Sequence, residues 1–193
     1  ERLAVNLFTE AEAEMILEAL LAADIAPIVY CLDDKERFVY NRCKINTETR
    51  EYVDSRYGDS RDTPVENDRE LTRQGTFYFT CIDDAEKLEQ LYAKFAEQFT
   101  CVYSKDIYSG AQWLEIMPKD ATKAHAAKQL AELLGCDRIV AFGDSTNDIP
   151  LFEAADECYA VANASDVLKQ SATAVIAGND EDAVAHWLED NWK

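Results

Sequence analysis

Basic side chains are scarce in this sequence. Its 193 residues carry 19 Lys and Arg against 38 Asp and Glu, a net charge of −19. Nucleic acids and anionic membrane surfaces select basic patches, so neither is an expected partner. The six cysteines, at 31, 43, 81, 101, 136 and 158, contain no C-x-x-C pair. All but Cys43 lie in or beside apolar runs, where reduced, buried thiols are common. That argues against a disulfide framework and for a reducing cytoplasm. No apolar stretch is long enough to span a membrane. No signal peptide is visible, but the first residue is Glu1 and not Met, and Arg2–Phe8 already reads as a strand. The chain is therefore expected to begin in mid-protein.

What is present is an ordinary apolar content, 48%, enough for one large domain or two small ones. Thr9 with Glu12 predicts a capping box for a helix to about Ala23, with Met15, Ile16, Ala19 and Leu20 as its stripe. Ala26–Leu32 and Arg37–Asn41 predict a hairpin through Asp33-Asp34-Lys35. Thr47 to about Arg56 reads as a helix, followed by loop and a short helix near Asn67–Arg73. Thr76–Ile82 is a clear strand. Asp84 caps a helix with Leu88, Leu91, Tyr92 and Phe95 on one side. Thr100–Ser104 and Gln112–Met117 form a strand pair around Ser109-Gly110. Helix-strand-strand twice over predicts an antiparallel sheet with helices on one face. Pro118 marks a boundary. After it, helix and strand alternate, as in a parallel sheet. The expected elements are a helix from Asp120 to Leu134 closed by Gly135, strands at 138–142, 158–161 and 174–176, and helices from Ile149, Ser165 and Asp180. The fold class is thus α/β, a partial parallel-sheet core at 119–193 beside an α+β module at 1–118.

The stretch Ile139–Pro150, I-V-A-F-G-D-S-T-N-D-I-P, carries the chemistry. A buried strand is broken by Gly143, and a polar turn leads into a helix. Open α/β sheets hold ligands at such strand carboxyl ends. Pro150 fits only the first turn of that helix, so the cap lies at about Asn147 or later. Asp144, Ser145 and Thr146 then sit in the loop, with Asp148 at the helix mouth. Two carboxylates so close call for a cation. Mg²⁺ suits them, since it takes one or two carboxylates plus waters and phosphate oxygens. The alternative is a capping box from Ser145 to Asp148, with Asp144 a turn residue. Lys123 lies in the first turn of the preceding helix, four residues before the apolar stripe Ala127, Leu130, Ala131 and Leu134. By itself it reads as a snorkelling lysine; beside two acids it reads as a phosphate-neutralising group.

G-D-S-T-N-D at 143–148 resembles the fourth motif of the haloacid dehalogenase superfamily, in its Cof-like phosphatase branch. Leu114–Lys123 is similar to the segment that carries the family's motif-three lysine, Ala160–Ala164 to its asparagine-alanine turn, and Gly178–Val184 to its last helix start. The resemblance covers 114–193 in order and is weaker before it. It departs in detail at Ala124, Ala162 and Ala183, where glycine is usual. It implies a Rossmann-like core with an inserted α+β cap, and a Mg²⁺-dependent phosphatase of small phosphorylated metabolites such as sugar phosphates. Asp144 and Asp148 would hold the metal. Lys123 would neutralise a phosphate oxygen and orient the nucleophile, with Lys119 as the fallback, and Asn147 would donate to a phosphate oxygen or fix the loop. The family also demands an aspartate nucleophile in a D-x-D-G-T-type motif. No such stretch occurs here. The expectation is that it lies upstream of Glu1, or that a second chain supplies it, and that the chain as given is inactive. The alternatives are a binding or regulatory protein that keeps a metal-and-phosphate half-site, and a related sugar-phosphate mutase.

Overall fold

A computed structural model of the chain describes residues 4–106 and 110–191. The chain divides into two compact units, one over Val5–Ala121 and one over the residues from Thr122.

In the first unit, helix α1 (Glu10–Ala22) opens on the capping box read from the sequence. The Thr9 hydroxyl accepts the Glu12 N–H at 3.3 Å, and the Glu12 carboxylate accepts the Thr9 N–H at 2.8 Å. Its buried residues are Ala13, Ile16, Leu17 and Leu20, while Met15 is exposed. Strands β1 (Ile28–Leu32) and β2 (Glu36–Asn41) form the hairpin. Helix α2 (Thr47–Asp54) follows, then strand β3 (Asp62–Val65) and one short 3₁₀ turn at Asp68–Glu70. Strand β4 (Thr76–Ile82), helix α3 (Ala85–Phe95) and strands β5 (Thr100–Lys105) and β6 (Gln112–Met117) complete it. The sheet order is β3-β2-β1-β4-β6-β5, antiparallel except for the parallel β2–β3 pair.

Three features differ from the sequence reading. The expected opening strand is absent over its described part, Ala4–Phe8. Phe8 is instead an anchor: its N–H bonds the Thr76 carbonyl at 2.9 Å and its ring meets Phe79 and Phe99 edge-on. Strand β3, D-T-P-V, has no alternating apolar pattern. It pairs as an edge strand, the position where a proline such as Pro64 is tolerated. Helices also cover both faces of the sheet. Val29, Cys31, Val39, Phe79, Leu114 and Ile116 share a core with residues of α1 and α3. On the other face Ile28, Tyr30, Phe38 and Tyr40 pack with Val53 of α2. Of the turn expected around Ser109-Gly110, Ser109 lies outside the described residues, while the Gly110 N–H bonds the Asp106 carbonyl at 2.9 Å.

The second unit holds helix α4 (Lys123–Leu134), strand β7 (Val140–Gly143), helix α5 (Ile149–Ala154), strand β8 (Glu157–Val161), helix α6 (Asp166–Ser171), strand β9 (Ala174–Ile176) and helix α7 (Ala183–Asn191). The strands are parallel in the order β7-β8-β9. Thr122, not Asp120, caps α4: its hydroxyl accepts the His125 N–H at 3.1 Å. Gly135 ends that helix at φ 65°, a left-handed conformation that favours glycine. The last helix starts later than expected, because Asn179–Glu181 forms a 3₁₀ turn and Asp182 breaks the path at φ 52°. Ala141, Phe152, Cys158, Ala160 and Leu168 make the core. The α4 stripe is not part of it. Ala127, Leu130, Ala131 and Leu134 line a groove of about 670 Å³ with Ile139, Phe142 and Leu188. Among the described residues no helix is long and apolar enough to cross a membrane, and none of the six cysteines is in a disulfide.

Gly75 precedes β4 at φ 80°, and a Cβ there would stand 2.0 Å from the Leu32 carbonyl oxygen. The contact is with backbone, which has nowhere to go. Gly75→Ala is expected to cost about 2–4 kcal/mol, the scale of a misfit at a special backbone position. Urea unfolding followed by circular dichroism checks it; a loss under about 0.5 kcal/mol, the scale of a neutral surface change, would show that the turn has slack.

Candidate active site

Strand β7 ends at Gly143, and the chain turns through Asp144 and Ser145 into a 3₁₀ turn, Thr146–Asp148, which runs straight into α5. Pro150 stands in the first turn of α5, where its missing N–H costs nothing. Asp148 is thus placed at the helix mouth, as the proline implied. Its side chain is buried, 6% exposed. Both oxygens are engaged. Oδ1 accepts Lys123 Nζ at 2.5 Å, and Oδ2 accepts the peptide N–H of Asp144 at 3.2 Å and of Ser145 at 3.5 Å. Burial by itself would raise the Asp148 pKa. The Lys123 ammonium and the two peptide donors outweigh it and hold the carboxyl below its ordinary value.

The structure therefore brings Lys123 and Asp148 into direct contact, although 24 residues separate them in the sequence between the start of α4 and the mouth of α5. Lys123 is the first residue of α4 and its side chain is 59% exposed. It lies outside the apolar stripe's groove and carries its charge to the end of β7. Lys119 does not share this contact; its ammonium bonds the Glu97 carbonyl at 3.4 Å within the other unit. Asp144 and Asn147 are exposed. The Asp144 carboxylate has no hydrogen-bond or ion-pair partner among the described residues. The capping-box alternative is half realised: Asp148 reaches back to the Ser145 N–H, while the Ser145 hydroxyl makes no capping bond.

Two contributors were not read from the sequence. A Cβ on Gly143 would stand 2.9 Å from both Cβ and Oδ2 of Asp148 and 3.0 Å from the Phe152 ring. Gly143 thus makes room for the buried carboxylate, beyond ending a strand. Ser165, the cap of α6, donates its peptide N–H to the Asp144 carbonyl at 2.9 Å. Nothing in a linear pattern links position 165 to 144.

A family model for haloacid dehalogenase-like hydrolases matches residues 1–188. The chain belongs to the haloacid dehalogenase-like hydrolases. Among curated relatives it is 40% identical over 83 residues to a 5-amino-6-(5-phospho-D-ribitylamino)uracil phosphatase of Bacillus subtilis, 42% of this chain and 29% of that one. It is 41% identical over 75 residues to a phosphoglycolate phosphatase of Sulfurisphaera tokodaii, 38% of this chain and 33% of that one. The matches span under half the length of these curated relatives. A haloacid dehalogenase-like hydrolase from Bacteroides thetaiotaomicron superposes with a TM-score of 0.74 at 19% identity, over 98% of this chain and 70% of that one. The α/β fold of this hydrolase family is thus the fold seen here.

Within this family member, Asp148 sets an acid limit on stability. Its pKa is lowered in the folded chain, so its contribution is fully present above the ordinary carboxylate range near pH 4. It is lost as pH falls through the lower, folded value. Asp148→Asn is expected to cost about 1–2 kcal/mol at neutral pH, the scale of charged hydrogen bonds partly open to solvent. The variant should also lose less on acidification than the parent does. Thermal melts of both chains from pH 7 to pH 3 test this; parallel melting curves over that range would rule out Asp148 as the responsible group.

Proposed function

We propose that the complete protein is a Mg²⁺-dependent phosphatase of small phosphorylated metabolites such as sugar phosphates, and that its carboxylate nucleophile comes from outside these 193 residues. The observation that carries the reading is the ion pair of Lys123 and Asp148 beside the Asp144 carboxylate, which has no partner among the described residues, at the end of a parallel strand. The relatives named as phosphatases support it.

The donor set fits a hard divalent cation in part. Among the described residues no group of three or more His, Cys, Asp or Glu is close enough to hold a metal alone. Mg²⁺ does not need one, since it keeps waters and takes phosphate oxygens. Asp144 would be the first ligand, and Asp148 would be the second ligand or hold a ligand water. When bound, Mg²⁺ supplies charge neutralisation and polarises the phosphoryl group. The protein's own part is positioning. Asp148 holds the Lys123 ammonium at the strand end, where it neutralises a phosphate oxygen. Asn147, exposed in the same turn, donates to another. Phosphoryl transfer demands little else than placement and charge.

The groove along α4 supports an external nucleophile. Strand β7 is at one edge of the sheet, with the apolar stripe of α4 beside it. A strand from a longer form of the chain, or from a second chain, would pair with β7 and cover Leu130, Leu134 and Phe142. An apolar edge of this kind is otherwise an association hazard. The lack of a D-x-D-G-T stretch also supports a second reading, a binding protein that retains the half-site without turnover. The burial of Cys31, Cys81 and Cys158 is in keeping with the cytoplasmic home we propose. Cys81 is pushed up by burial, and Cys101 likewise to about 11, so both stay protonated and unreactive.

Two measurements test the proposal. The 193-residue chain is expected to show no EDTA-sensitive turnover of an aryl phosphate with Mg²⁺; robust turnover would place the nucleophile inside it. In the complete protein, Lys123→Met should lower kcat by about 10²–10³, the scale of one preorganised electrostatic contact. Stability should fall by about 1–3 kcal/mol, because the buried Asp148 carboxylate keeps its two peptide donors and loses only the ammonium, so the rate loss has to be read on the folded variant. A kcat within a factor of about two of the parent, far below that span, would sink the assignment of Lys123.

A further inference from the structure

We infer that Asn163 is a positioning residue for Asp144, acting through the turn that joins β8 to α6. The inference rests on the reading of Asp144 as the metal-holding carboxylate, and it concerns what fixes that residue in place.

Asp144 is held at both of its peptide groups. Its N–H is bound by the Asp148 carboxylate, and its carbonyl accepts the Ser165 N–H at 2.9 Å. The first tether is part of the Lys123–Asp148 arrangement. The second belongs to a different segment, Ala162–Ser165, and needs that segment to be fixed. Two bonds fix it. The Ala162 N–H reaches the Ala177 carbonyl at 3.2 Å, and the side-chain oxygen of Asn163 accepts the Asn179 N–H at 3.0 Å. Asn179 is itself set by its neighbours, since the Gly178 N–H is bound by the Glu181 carboxylate at 2.9 Å. The asparagine-alanine turn and the 3₁₀ turn before the last helix, linked across 16 residues, are therefore one structural unit. A chain of bonds runs from Asn179 through Asn163 and the peptide of Ser165 to the carbonyl of Asp144. The side chain of Asn163 is exposed, so burial does not account for an asparagine there. Its acceptor oxygen does.

This chemistry predicts which replacements are tolerated. Asn163→Asp keeps the acceptor oxygen and loses the amide donors. Asn163→Ala loses both. Asn179→Pro removes the donor from the other side. It stands at the first position of a 3₁₀ turn, after Gly178 at φ −68° and ψ 159°, a backbone that a following proline accepts.

The test uses the 193-residue chain, ¹⁵N-labelled, with two readouts and melting curves to confirm folding. The first is hydrogen exchange at the Ser165 peptide. Asn163→Ala and Asn179→Pro should each speed it by about tenfold, the fold-change for one net hydrogen bond. Asn163→Asp should stay near the parent. The second is a Mg²⁺ titration followed at the Asp144 peptide resonance. Half-saturation should move to higher Mg²⁺ in Asn163→Ala and Asn179→Pro, and not in Asn163→Asp. Parent-like exchange at Ser165 in both Asn163→Ala and Asn179→Pro overturns the inference, and so does Asn163→Asp behaving like Asn163→Ala. Unchanged Mg²⁺ half-saturation in Asn163→Ala overturns its link to the metal. If the parent itself shows no Mg²⁺ response at Asp144, the metal reading falls, while the Ser165 exchange still decides the positioning.

Discussion

One buried carboxylate organises the second unit. Asp148 cannot be desolvated without compensation, since burying an unpaired charge costs several kcal/mol. The compensation comes from three donors: the Lys123 ammonium and the peptide N–H groups of Asp144 and Ser145. Meeting that demand draws the start of α4, the end of β7 and the mouth of α5 to one point. The side chain that satisfies the turn thereby also aims the lysine and shapes the backbone beside Asp144. Gly143 is the steric condition for all of it, because a methyl group there would occupy the carboxylate's place.

The division of labour between the two aspartates follows from burial. Asp148 is enclosed with both oxygens bonded, and Asp144 is exposed with its peptide held and its carboxylate unengaged among the described residues. A carboxylate without such bonds is the one that can exchange water for a cation at low cost. A bonded one exchanges only if Lys123 turns elsewhere, for instance toward a phosphate. The pair is therefore graded in availability, although the sequence shows two identical side chains four positions apart.

Much of this was legible beforehand. Local chemistry placed the capping box of α1, the bounds of β4 and β9, Gly135 at the end of α4, and Pro150 in the first turn of α5. These are short-range signals and survive any tertiary context. What failed was long-range. Met15, at helical spacing with Ile16, Ala19 and Leu20, faces solvent while Ile16 and Leu20 are buried. Strand β3 exists because β2 offers it an edge, which no pattern within D-T-P-V reveals. The second face of the first unit's sheet is covered by α2, although that helix, T-E-T-R-E-Y-V-D, shows few apolar residues. The pairing of Lys123 with Asp148 was approached through family likeness, whereas the tether from Ser165 to Asp144 left no trace in the sequence at all.

The two sheets differ in how far along the chain their partners lie. In the second unit Val140 pairs with Glu157, and Tyr159 with Ala174, each across a single short helix. In the first, β1 reaches past β2, α2 and β3 to find β4, with Ile28 opposite Thr80. Closing the longer loop costs more entropy before any contact rewards it. Strand assembly from β7 to β9 should accordingly run ahead of the joining of β1 to β4, and the slow step in acquiring the whole fold belongs to the centre of the six-stranded sheet.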